Sequence, residues 1–354
     1  MNITFLIGNG FDLNLGLDTR YTDFIEEYIE ETPLDTEIIK EFKKDLKEDK
    51  EKAKLWSNAE LAMGQYSMNV AERYKEQAAE IYCDLHDDFC EKLAQYLQGE
   101  QERIEIAELK ERFIKSFSKI LNGFSTEQRN QIDSLITKAQ ANHYNFIIYN
   151  YTTIIDNLID KNKRIGEHTY AHPNGTLTYA DSIQDFVHVH GTTQEAMVLG
   201  VNDITQIAVP KIFEGQPDEL RSTFIKKDFN AMVEEGTFEK TQAILNKSNL
   251  IYIYGMSLGE TDKLWWQQIY QLLQKNLSLR VIIHSIDTPT NLLTPRKRIA
   301  FAKKQKMRLI NYSIDKDQNV EQELLDRIHV TGFNIFQELE GESLAVLKPA
   351  KEAV

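Results

Sequence analysis

Residues 3–7 (ITFLI) are a short apolar run, rich in β-branched and aromatic side chains, that breaks directly into Gly8-Asn9-Gly10. Such a run reads as a buried strand. A strand that ends in a glycine turn and restarts as amphipathic sequence is a βα unit. Repeated, it confines a chain to folds with a mostly parallel, helix-covered sheet. The pattern recurs at 144–149 before Asn150-Tyr151-Thr152, at 249–254 before Gly255-Met256-Ser257-Leu258, and at 279–284 before Ser285-Ile286-Asp287. Shorter strands are expected at 176–179, 186–189 and 197–201, and a last one at 307–312. The expected class is α/β, with a doubly wound, mostly parallel sheet. Gly16 completes a G-x-G-x5-G spacing, not the G-x-G-x2-G of the nicotinamide fingerprint, so a plain βα turn without a ligand is the competing reading.

Between residues 25 and 142 strand-like runs vanish. Ala71, Tyr74, Ala78, Ile81, Leu85 and Phe89 continue to Leu93, Tyr96 and Leu97 without Pro or Gly, which predicts one long amphipathic helix closed by Gly99. Ser125-x-x-Gln128 has the form of a capping box opening a further helix. The expected organisation is a nucleotide-binding domain over 1–24 and 143–340, interrupted by an all-helical insertion at 25–142.

The formal net charge of −14 argues against nucleic-acid binding through phosphate neutralisation, without excluding a local basic patch. No stretch has the roughly 18 apolar residues that span a bilayer, and the first apolar run is too short for a signal peptide. Cys83 and Cys90, the two cysteines, lie about two helical turns apart, too far to bridge. Free thiols in a reducing cytosol are expected, and a four-thiolate zinc site is ruled out.

In open α/β sheets ligands sit at the carboxyl ends of strands. Polar residues gather at those ends: Gly8, Asn9, Gly10, Phe11 and Asp12; Asn150 and Thr152; His188, His190, Gly191 and Thr192; Gly255 and Ser257; and Asp287. All are expected to meet at one crevice. A second grouping, His168, His172, His188 and His190 with Asp181 or Asp185, has the donors for a metal-dependent hydrolase, although no H-e-x-x-H-type motif is present. Trp265 and Trp266 are expected in the core.

The stretch GNGFDLNLGLDTRYTDF and the later Trp56-Ser57-Asn58-x-Glu60-x-x-x-Gly64 resemble the two signature stretches of the AbiH family of phage abortive-infection proteins. That family resembles, more distantly, the sirtuin-type NAD-binding fold. Gly8, Gly10 and Gly16-Leu17 fall on the glycines of the sirtuin phosphate loop and the residue after the last. Asn150 falls on the asparagine of its Q-N-I-D stretch, His190 on the histidine of its H-G-S/T stretch, and Gly255 to Leu258 on its G-T-S-L loop. Asn9 and Asp12 replace an alanine and a serine, Arg20-Tyr21 replaces a phenylalanine-arginine pair, and the four zinc cysteines are absent.

The resemblance implies a Rossmann-like, sirtuin-like sheet in a cytoplasmic anti-phage protein that cleaves NAD as substrate and needs no metal. Asn150 and His190 are then the expected catalytic residues. Gly8, Asn9, Gly10, Phe11, Asp12, Gly16, Tyr21, Thr152, Gly191, Gly255, Ser257 and Asp287 are the expected binding residues, with Glu60 reaching back toward the site. Breaking the nicotinamide–ribose bond passes through an oxocarbenium-like transition state, as glycoside cleavage does. A histidine of ordinary pKa near ~6.5 suits the base, and an asparagine can orient water or ribose hydroxyls. A phage or host protein is the expected trigger and a homo-oligomer a possible state. The rival reading keeps the nucleotide site in a non-catalytic sensor.

Overall fold

The computed structural model describes residues 1–48, 58–136, 141–159, 164–172, 175–195, 197–233, 236–285, 294–312 and 322–340. The chain divides into two compact units. The first is Met1–Gly16, Ile104–Val189 and Thr237–Val354; the second is Leu17–Arg103 and His190–Gly236.

The first unit holds a seven-stranded sheet of β1 (Asn2–Ile7), β2 (His143–Ile148), β3 (Arg164–His172), β4 (Gly175–His188), β5 (Leu250–Tyr254), β6 (Arg280–His284) and β7 (Ile328–Thr331), in the order β3-β4-β2-β1-β5-β6-β7. Every pairing is parallel except that of the edge strand β3 with β4. From the central β1 the chain builds outward to β2 and β4 on one side, then returns to build β5, β6 and β7 on the other.

Side chains alternate across a strand, so each strand gives one set of residues to each face. On one face Leu6, Ile147, Ile251, Ile253, Val281 and Ile283 are buried with Trp265, Trp266, Ile269 and Leu273 of the helix Lys263–Lys275. Leu309 and Ile310 of the helix Pro295–Ile310 join them. On the other face Phe5 stacks on Phe146 (centroids 5.2 Å apart) and meets Tyr252 (5.6 Å), with Phe117 and Phe336 over them. Helices thus cover both faces, and the two tryptophans are core, as expected.

The second unit is helical among its described residues. Its expected long helix is two, Ala59–Tyr74 and Ala78–Gln101, broken at Lys75, where φ is 47°. Gly99 lies inside the second helix and does not close it. The Ser125–Gln128 capping box is present in the first unit: Ser125 N donates to Gln128 Oε1 (3.1 Å) and Gln128 N to Ser125 Oγ (3.3 Å).

Three strand expectations need correction. Residues 176–179 and 186–189 are not separate strands, since β4 runs unbroken through 175–188. Residues 197–201 form no strand; Val201 makes an isolated bridge to Ile225. Residues 307–310 end the helix Pro295–Ile310, begun by Pro295 at its first position and by Thr294, whose side chain accepts from Lys297 N. Among the described residues no helix is long and apolar enough to cross a membrane.

Candidate functional site

The turns after β1 and β5 are laced together. Gly8 N donates to Tyr254 O (3.0 Å) and Gly10 N to Gly255 O (2.9 Å). Gly255 has φ +67°, and a Cβ there would lie 2.7 Å from Gly10 Cα. A Cβ on Gly8 would meet Met256 Cγ at 2.8 Å and Gly255 O at 2.9 Å. Close approach of two backbones therefore accounts for Gly8 and Gly255. Phe11 is fully buried, edge-on to Phe336 at 5.1 Å, and serves the aromatic core. Gly16, at φ 84°, follows the short helix Gly10–Asn14, and Asn9 precedes it. Ser257 is exposed, and its carbonyl accepts from Arg308. Asp287 lies outside the described residues.

The chemistry concentrates where β1 and β2 end side by side. Asp12 is 1% exposed, and both its oxygens accept from side chains following β2: Asn150 Nδ2 at 2.8 Å and Thr152 Oγ1 at 2.7 Å. Burial pushes the Asp12 carboxyl up to about 7, against the opposing pull of those two hydrogen bonds and of His188. His188 braces the cluster from β4. Its Nδ1 donates to the Asn150 carbonyl (3.1 Å), and its Nε2 meets Asp156 Oδ2 (2.8 Å). The Asn150 side-chain oxygen is buried with no hydrogen-bond partner. A buried acceptor left unmade costs about 1–3 kcal/mol and calls for an explanation.

The second unit holds its own buried polar cluster. Asn58 caps the helix Ala59–Tyr74 through Leu61 N (3.2 Å), which places Glu60 in the first turn. Lys226, from the helix Lys226–Val233, lies 2.9 and 3.0 Å from the two Glu60 oxygens and 3.4 Å from His190 Nε2. All three residues are more than nine-tenths buried. An ammonium donating to Nε2 leaves that nitrogen an acceptor and puts the imidazole proton on Nδ1. Gly64, one helical turn after Glu60, lies so close to Gln206 that a Cβ would be 2.5 Å from its carbonyl oxygen. The three described residues of the Asn-x-Glu-x3-Gly stretch are thus a cap, an ion-pair partner and a close-approach position; Trp56 and Ser57 lie outside the described residues.

The family model described as bacteriophage abortive infection AbiH matches residues 4–283, well over half of the chain. The chain belongs to the AbiH family. No curated protein and no solved structure matched it. The AbiH match encloses Asp12, Glu60, Asn150, His190, Lys226 and Gly255 and stops short of Asp287.

Of the residues expected at one crevice, the first unit of this AbiH chain brings together Gly8, Gly10 and Gly255, and separately Asp12, Asn150, Thr152 and His188. Tyr21, which opens the helix Tyr21–Tyr28, and Gly191, at φ 69°, belong to the second unit with His190 and Glu60. Sequence reasoning missed Lys226 and Asp156. Lys226 is one of two adjacent lysines in a charged segment, and nothing in its local pattern marks it as buried. No group of three or more His, Cys, Asp or Glu residues suited to a metal occurs among the described residues. His188 has both ring nitrogens engaged, and the His168 and His172 side chains lie outside the described residues.

Proposed function

We propose that this AbiH chain acts in abortive infection by cleaving the nicotinamide–ribose bond of NAD or a related nucleotide, on a doubly wound, Rossmann-like sheet of sirtuin type. The observation that carries this reading is the buried Asn150 carboxamide oxygen without a partner, held by Asp12 and His188 at the carboxyl ends of β1 and β2. The strand order supports it. Counting the parallel strands in chain order gives 3-2-1-4-5-6, with the reversal beside β1 where open α/β sheets bind dinucleotides.

In the proposed reaction water adds to the ribose anomeric carbon, the bond to nicotinamide breaks with its electron pair leaving on the ring nitrogen, and a proton is released. The products are ADP-ribose and nicotinamide. Asn150 accepts a ribose hydroxyl through its free oxygen and so orients the sugar. Asp12, whose carboxyl burial pushes up to about 7, accepts from Asn150 Nδ2 and so fixes which way the carboxamide oxygen points. His190 is the base that the family resemblance implies, a role that requires Lys226 to release its Nε2. In the sensor reading the same carboxamide binds nucleotide without turnover.

Calorimetric titration of purified protein with NAD and with ADP-ribose tests the site. Both ligands are expected to bind, and Asn150→Ala, checked for an unchanged circular-dichroism spectrum, should weaken both by about five- to tenfold, the worth of one hydrogen bond. Equal affinity in the folded variant, or no binding to the wild type, would remove the site assignment.

A further inference from the structure

The acidity of this chain is not uniform. Between Pro295 and Ile310 one helix carries seven lysines and arginines and no carboxylate, in a protein with 55 acidic and 41 basic residues. The helix lies beyond the AbiH match, which ends at residue 283. Its apolar side is already used: Leu309 and Ile310 are in the core under β6 and β7. Lys306 donates to the Leu325 carbonyl (2.7 Å) and Arg308 to that of Ser257, so these two cations serve the fold.

Arg296, Lys297, Lys303 and Lys304 are different. All four are exposed, and none forms an ion pair with a carboxylate among the described residues. Positions 296, 303 and 304 follow the i, i+7, i+8 spacing of one helix face, with Lys297 at its edge. The stripe spans about 12 Å along the helix, the reach of a few consecutive phosphates on one strand. Unpaired like charges held together on a rigid element repel one another, and a polyanion relieves that repulsion.

We infer that the exposed face of this helix binds the phosphate backbone of nucleic acid without sequence preference. A membrane surface fits less well. An interfacial helix inserts its apolar face, and here that face is covered by the sheet, with Ile299 the exposed exception at 69%. The overall charge of −14 keeps binding weak away from the stripe, so contact is confined to this helix. The inference is independent of the NAD reading, since neither the residues nor the ligand are shared with it.

Fluorescence anisotropy of the full chain with a labelled 20-base-pair duplex tests it. The wild type should bind at 50 mM salt and lose roughly 100-fold in affinity by 200 mM, the slope expected for four phosphate contacts. The variant R296Q/K297Q/K303Q/K304Q, altered only at exposed positions, should lose most of the binding and most of the salt slope. Co-sedimentation with phosphatidylserine vesicles is the companion arm. Absence of duplex binding at 50 mM salt, equal binding by the variant, or binding to vesicles alone would overturn the inference.

Discussion

Glu60→Ala is expected to destabilise the second unit by about 3–5 kcal/mol, read as a lowered urea midpoint. The carboxylate holds Lys226 at 2.9 and 3.0 Å, and both side chains are only 8% exposed. Removing it strands an ammonium in a poorly solvated interior beside His190, a partner that offers one lone pair where Glu60 offered two oxygens. The loss is due to the unpaired charge and not to any large net worth of the ion pair. The double variant Glu60→Met/Lys226→Met should therefore recover most of the stability lost by the single one. It would also free His190 Nε2, so a folded double variant that is inactive would assign the ion pair a functional role. A single variant that costs less than about 1 kcal/mol would show that the pair is solvated and that this account of the second unit is wrong.

Asp12 should make this protein less stable as pH rises from about 4 to 7. Its carboxyl titrates at about 7 in the folded chain against 3.8 in the unfolded one, so within that window the folded state keeps a proton that the unfolded state has lost. Where the unfolded state binds fewer protons, stability falls with rising pH. A gap of about three pKa units corresponds to roughly 4 kcal/mol, complete below the unfolded value and lost by pH 7. Asp12→Asn keeps the size of the group and abolishes its titration. The difference in unfolding free energy between wild type and Asp12→Asn, measured from pH 4 to 8, should shift in favour of the variant across this window. Parallel profiles would mean that Asp12 ionises normally and that burial does not disfavour its carboxylate.

The central strands were legible because they announce themselves twice, by composition and by the turn that ends them. Residues 3–7, 144–149, 249–254 and 279–284 are apolar on both sheet faces, and each runs into a polar or glycine turn. The strand-end rule puts Asp12 and Asn150 in one group with many other polar residues, but the hydrogen bond between them is not readable from the sequence. What was misread lay where local pattern is ambiguous. Residues 307–312 are a short run with apolar positions that suits either a strand or the last turn of a helix, and the cap at Thr294 decides for the helix. β7, only four residues long, carries His329 and Arg327 beside it and has no apolar run to mark it. The break at Lys75 left no trace because neither glycine nor proline makes it.

Division into units depends on packing that no local window of sequence carries. Charged helical sequence looks alike wherever it packs, and an expected insertion at 25–142 contrasts with a compact second unit drawn from 17–103 and 190–236. Lys226 belongs to that second segment. Its burial depends on Glu60, 166 residues earlier, and no local window contains both.

Intracellular NAD after induced expression, with and without phage, tests the central claim most directly, for the wild type beside Asn150→Ala and His190→Ala. NAD should fall in cells carrying the wild type when phage is present and hold in both variants, with protection lost in parallel. Unchanged NAD in wild-type cells that still resist phage would contradict the account and return the Asn150 site to a nucleotide sensor.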